Sequence, residues 1–235
     1  MKITMAIGLA SLLISAFAHA QPGTEPLPDE LAGGSPRPPR VDCGVGVYGD
    51  ADRFLTVTKG RAGTRYAFDN GREGRISEDP SIACLGPQGI EVEGELYAYR
   101  PIRVTAARFQ SGAATLVGQL LEPLEANSNT PLVVFAHGSE DRGWIERARD
   151  PYQMVGRGAS VFVYDKRGTG RSSGVYSQNF PELADDLVEA SRTAKRLAQG
   201  RFGRFGLIGL SQGGWIAPLA AKRAKADFLF IGYGL

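Results

Sequence analysis

The sequence predicts an α/β architecture: a mostly parallel sheet with helices on both faces, preceded by a small β-rich module. Three observations carry this. Short apolar strand candidates lack polar alternation, amphipathic helical stretches separate them, and a glycine-flanked serine sits where one such strand meets a helix. A chain of 235 residues with 43% hydrophobic and 22% charged residues can bury a core. Its formal charge of +2 offers no field to draw nucleic acid or an acidic membrane surface.

Residues 1–20 have the features of a secretory signal: Lys2, an apolar run over 3–17, and the small residues of Ala18-His19-Ala20. The run is shorter than the roughly twenty residues that cross a bilayer, which argues against an uncleaved anchor. Cleavage after Ala20 removes His19 and leaves His137 as the single histidine, with no membrane span and a secreted or periplasmic location. Residues 21–40 carry Pro22, Pro26, Pro28, Pro36, Pro38 and Pro39 and read as a disordered, polyproline-like tether.

Residues 41–100 read as the β-rich module, with strand candidates at 53–58, 64–68 and 74–77. The last two flank Asp69-Asn70-Gly71, where Asn-Gly favours the left-handed conformations of a tight hairpin turn. In an oxidising compartment Cys43 and Cys84 are expected to form one disulfide, two unpaired thiols being the alternative.

From residue 101 onward the pattern is regular. Apolar runs at 102–109 and 113–121 flank Gln110-Ser111-Gly112 as a hairpin, and further strands are expected at 131–136, 160–164, 205–210 and 228–231. Helices are expected at 144–156, 183–197 and 213–226. In the second, Leu183, Leu187, Val188, Ala190, Ala194 and Leu197 recur at helical spacing.

The chemistry is placed at Gly209-Leu210-Ser211-Gln212-Gly213, a Gly-x-Ser-x-Gly nucleophile-elbow pattern between a strand and a helix. The turn is too sharp for side chains at Gly209 and Gly213, and it exposes the Ser211 hydroxyl at a helix N-terminus. A second loop, His137-Gly138-Ser139, follows the 131–136 strand. A third, Asp165-Lys166-Arg167-Gly168-Thr169-Gly170-Arg171-Ser172, follows the 160–164 strand. The glycines of that third loop do not make a nucleotide site: the third glycine of a dinucleotide fingerprint is misplaced and no Gly-Lys-Ser/Thr triplet is present. One histidine and two distant cysteines make no metal site, and no cofactor is expected.

These three loops, in this order and spacing, resemble the α/β-hydrolase fold family. The continuation Gln212-Gly213-Gly214-Trp215-Ile216-Ala217-Pro218 is similar to secreted bacterial serine aminopeptidases, prolyl-oligopeptidase-like enzymes and acyl thioester hydrolases. The resemblance runs from about residue 102 to 235. It implies a serine hydrolase acting on a small acyl substrate, an ester, amide or thioester, through an acyl-enzyme on Ser211. The backbone N–H groups of Gln212 and Ser139 would form the oxyanion hole. His137, Gly138, Asp165, Arg167, Gly209 and Gly213 would support the loops, His137 ordering its own loop rather than acting as the base. The family's acid and histidine follow later strands, yet no histidine follows Ser211, and Asp227, the only later carboxylate, precedes the last strand. The sequence is therefore expected to be the C-terminally incomplete front part of a hydrolase, inactive as it stands; the alternative is a non-catalytic binding or scaffold protein. An exposed apolar edge is expected at 228–231. Oligomeric state has no signature in the sequence.

Overall fold

The computed structural model describes residues 42–145 and 147–234. The expected signal and tether, 1–40, lie outside the described residues.

The module is a seven-stranded antiparallel sheet. Its strands are β1 (Gly46–Gly49), β2 (Phe54–Gly60), β3 (Gly63–Phe68), β4 (Glu73–Arg75), β5 (Ile82–Cys84), β6 (Gly89–Val92) and β7 (Glu95–Arg100), in the order β4-β3-β2-β1-β7-β6-β5. The expected Asn-Gly turn joins β3 to β4, closed by Phe68 N–H donating to Arg72 O at 2.8 Å. Tyr48, Leu55, Val57, Tyr66, Phe68, Ile90 and Tyr97 fill the interior. Cys43 and Cys84 are joined in a disulfide across 41 residues of sequence.

The second sheet contains β8 (Ile102–Ser111), β9 (Ala114–Pro123), β10 (Leu132–Ala136), β11 (Ser160–Asp165), β12 (Phe205–Leu210) and β13 (Phe228–Gly232), ordered β13-β12-β10-β11-β9-β8. All six expected strands are present; where a mostly parallel sheet was expected, the sheet is mixed. Pairings β10–β11, β10–β12 and β12–β13 are parallel, while the β8–β9 hairpin adds antiparallel strands on the β11 side. A hairpin connection reverses the chain, whereas each later strand is reached through a helix and returns parallel.

Three helices cover this sheet: α1 (Arg149–Gly156), α2 (Phe180–Leu197) and α3 (Gln212–Ala224). Alternate strand residues sort to opposite faces, as the two-residue period of a strand dictates. Val133, Phe135, Val161 and Val163 pack with Tyr152 and Val155 of α1. Val134, Phe162, Tyr164 and Leu207 pack with Leu183 and Leu187 of α2 and Ile216 and Ala217 of α3. α2 starts where Asn179 accepts the Glu182 N–H, with Pro181 in the first turn and Lys195 and Arg196 in the last, in keeping with the helix dipole. α1 begins later than the sequence suggests, at Arg149; the segment before it is held by Asp165, which accepts from the Trp144 and Ile145 amides.

The module packs on α1. Phe54 lies against Gly156, where an added Cβ would meet its ring at 2.3 Å, and Gln153 donates from Nε2 to Thr56 Oγ1 (2.9 Å) and Ala67 O (2.6 Å). At the other edge, β13 pairs only with β12 among the described residues, leaving Phe230 58% exposed as the sequence led one to expect.

Two stability measurements test this description. Replacing both Cys43 and Cys84 by Ala should lower the urea-unfolding free energy by about 2–4 kcal/mol, since the bridge constrains a long loop of the unfolded chain. Gln153→Ala removes two buried hydrogen bonds, to Thr56 Oγ1 and Ala67 O, and should cost about 1–3 kcal/mol in the same assay.

Candidate active site

β10, β11 and β12 run parallel and end on the same side, and the chain leaves β10 for neighbours on either hand: β11 through α1 on one face, then β12 through α2 on the other. A crevice opens at such a switch point, outside the carboxyl ends of the strands. The three loops singled out from the sequence all lie there: 137–139 after β10, 165–172 after β11 and 209–213 at the β12–α3 junction.

Ser211 occupies φ 52°, ψ −120°, a left-handed conformation costly for a residue with a side chain. Its N–H donates to Gly232 O (2.9 Å) and its C=O accepts from Gly214 N–H (2.8 Å), so both β13 and the first turn of α3 pin the strained residue. The side chain is exposed. The flanking glycines are required sterically. A Cβ on Gly209 would lie 2.2 Å from Gly213 O, and one on Gly213 would lie 1.9 Å from Ala136 O, the last residue of β10. The Gln212 N–H opens α3, where first-turn amides have no helical acceptor.

Asp165, buried at the end of β11, braces two loops. Its Oδ1 accepts from Trp144 N–H (2.7 Å) and Ile145 N–H (3.2 Å), and its Oδ2 from Arg171 N–H (2.9 Å). Arg167 turns away from the crevice to α2, chelating Asp186 at 2.8 and 2.6 Å and bonding Glu182. Both residues therefore support loops.

His137 is fully buried, with its ring stacked on Trp144 at 4.9 Å. Its Nδ1 lies 3.0 Å from Glu140 Oε2. A carboxylate only accepts, so Nδ1 carries the proton and the basic atom is Nε2, which is buried without a hydrogen-bond partner. No hydrogen bond joins this ring to Ser211 among the described residues; its bond to Glu140 stays within its own loop. Asp227 caps β12, accepting from Phe205 N–H at 2.7 Å at the opposite end of the strand from Ser211.

The structure adds residues that sequence reasoning missed. Lys166 is 2% exposed; its Nζ donates to Gly138 O and, at 2.6 Å, to Gln212 Oε1. Burial lowers its pKa to about 8. Strand alternation was the available signal: Lys166 shares the face of Phe162 and Tyr164, which α2 and α3 cover. Tyr176 and Gln178, on the approach to α2, gave none. Tyr176 OH donates to Ser139 O at 2.7 Å, and Gln178 bonds both Tyr176 and Gln212. No group of three or more metal-binding side chains occurs among the described residues, and no described helix is long and apolar enough to cross a membrane.

The His137–Glu140 pair makes the loop acid-sensitive. Desolvation lowers the His137 pKa below its ordinary 6.5, and the His137 hydrogen bond lowers Glu140 from 4.5 to about 2. Each group binds a proton more readily in the unfolded chain, so stability falls as pH drops through 6.5 and falls further below 4.5. Urea midpoints measured from pH 8 to 3 should show this decline, and Glu140→Gln should flatten its lower part.

Residues 127–231 match the model of the serine aminopeptidase family, S33. No curated protein matches the chain. Similar solved structures include an esterase from Pyrococcus furiosus, 23% identical over 49% of this chain and 45% of that chain, TM-score 0.42. Another is a dienelactone hydrolase from Anabaena variabilis, 22% identical over 56% of this chain and 64% of that chain, TM-score 0.43. A third is an acylaminoacyl peptidase from Pyrococcus horikoshii, 18% identical over 80% of this chain and 29% of that chain, TM-score 0.46. The chain spans less than half the length of the esterase. Residues 127–231, which carry the strand–serine–helix junction and the two loops beside it, are similar to the serine aminopeptidase family, S33.

Proposed function

We propose that the protein is a serine hydrolase in which Ser211 attacks the carbonyl of a small ester, amide or thioester and forms an acyl-enzyme. The conformation of Ser211 carries this reading: a side chain exposed on a strained strand–helix turn, at the positive end of α3. The oxyanion that forms on attack is met by the backbone N–H groups of Gln212 and Ser139, neither of which has a hydrogen-bond acceptor among the described residues.

Ser211 needs a general base, and among the described residues none is hydrogen-bonded to it: His137 bonds Glu140 within its own loop, and no histidine follows the serine in the sequence. Turnover then depends on an acid and a base supplied from outside these residues. The same observation favours a second reading, a non-catalytic binding or scaffold protein that keeps the crevice without chemistry. The Cys43–Cys84 disulfide supports an exported location, secreted or periplasmic, in line with the signal-like residues 1–20.

A fluorophosphonate probe separates the readings. The chain alone should label slowly. Imidazole added as an external base should accelerate labelling of the native chain and leave Ser211→Ala unlabelled. Rapid labelling without imidazole would show that a base is already present, and no labelling under either condition would favour the binding protein.

A further inference from the structure

The buried ammonium of Lys166 sits between the two residues whose amides face the proposed oxyanion. From it a closed circuit of hydrogen bonds runs through three loops. Lys166 donates to the Gln212 side-chain oxygen, Gln212 Nε2 donates to Gln178, Gln178 Nε2 donates to the Tyr176 hydroxyl, and that hydroxyl donates to Ser139 O. A second bond from Lys166 Nζ reaches Gly138 O and closes the ring on the neighbouring peptide. Every donor points away from the ammonium, so each bond polarises the next in the same sense.

We propose that Lys166 is a positioning residue that presets Ser139 N–H and Gln212 N–H as oxyanion donors before substrate arrives. The proposal rests on reading Ser211 as the nucleophile and these amides as its oxyanion hole. The peptide bond supplies the geometric reason. In a trans unit the C=O and N–H point in opposite directions, so drawing Gly138 O onto Lys166 turns the Ser139 N–H away from it, and a charged donor polarises that N–H. Gln212 is gripped at both ends of its side-chain amide, by Lys166 and Gln178, so the first residue of α3 is fixed together with its backbone N–H.

A lysine 2% exposed with neutral oxygens for partners is costly to bury, which a structural filler would avoid. The charged or titratable groups around it are Glu140 and His137 on the loop after β10, Asp165 at the end of β11, and Tyr176 before α2. Arg167, next in the chain, turns to Asp186 and Glu182. Burial holds the Lys166 ammonium's pKa down to about 8.

Amide NMR spectra of the full chain, followed from pH 6.5 to 9.5, test the positioning. In the native protein the Ser139 and Gln212 amide resonances should shift together with a midpoint near 8, and in Lys166→Met this shared titration should vanish. Amides that do not move in the native protein, or that titrate unchanged in Lys166→Met, overturn the proposal. Should Lys166→Met fail to fold, the native titration and Tyr176→Phe decide: cutting the far end of the circuit should displace the Ser139 resonance, and an unmoved resonance counts against it. Imidazole-assisted fluorophosphonate labelling reads the consequence at Ser211. Lys166→Met should slow it about 10- to 100-fold, less than the roughly 10²–10³ that loss of a donor outright costs, and an unchanged rate overturns the proposal. If native Ser211 never labels, the nucleophile reading fails, while the amide titration still judges the role of Lys166.

Discussion

The approach of α3 to the end of β10 is the constraint on which the crevice depends. Where Gly213 passes Ala136 O there is no room for a methyl group, and where Gly209 passes Gly213 O there is none either. With the strand and helix this close, the one residue between them must turn left-handed, and its side chain must leave the fold. The strain at Ser211 is therefore imposed by the surrounding packing, and the bonds from Gly214 and to Gly232 hold it in place. The loop after β10 is drawn into the same contact, because the backbone that Gly213 touches leads directly into His137 and Gly138.

A second layer of support acts through β11. Asp165 gathers amides from the segment before α1 and from the Gly-rich loop, while Arg167 ties that loop to α2. Lys166, between them in sequence, faces α3. Three consecutive residues at one strand end thus address three different elements, which is how a short loop aligns groups contributed by distant parts of the chain.

Much of this was legible in the sequence. The apolar runs located every strand of the second sheet; the inner strands β9 to β12 are buried and need no polar alternation. The elbow pattern marked Ser211, because few arrangements other than a sharp strand–helix turn require glycine at both flanking positions. The departures have physical causes. α1 starts five residues later than expected, after a segment whose amides bond Asp165, a partner 20 residues away in sequence that the local pattern does not report. The hairpin at 102–121 was expected, but its antiparallel pairing onto β11, which makes the sheet mixed, was not, because local periodicity does not report which strands become neighbours. The Tyr176–Gln178 link escaped notice because ordinary polar residues acquire meaning only from the partners that folding brings to them.

The joint between the two sheets is a single residue. β7 ends at Arg100, β8 begins at Ile102, and Pro101 between them has a locked φ and no N–H to offer. With Gln153 and Phe54 also fixing the module to α1, the antiparallel sheet has neither a hinge nor a flexible linker about which to swing. The two sheets should tumble in solution as one body and melt in a single cooperative transition, the module acting as a buttress to the helix that leads into β11.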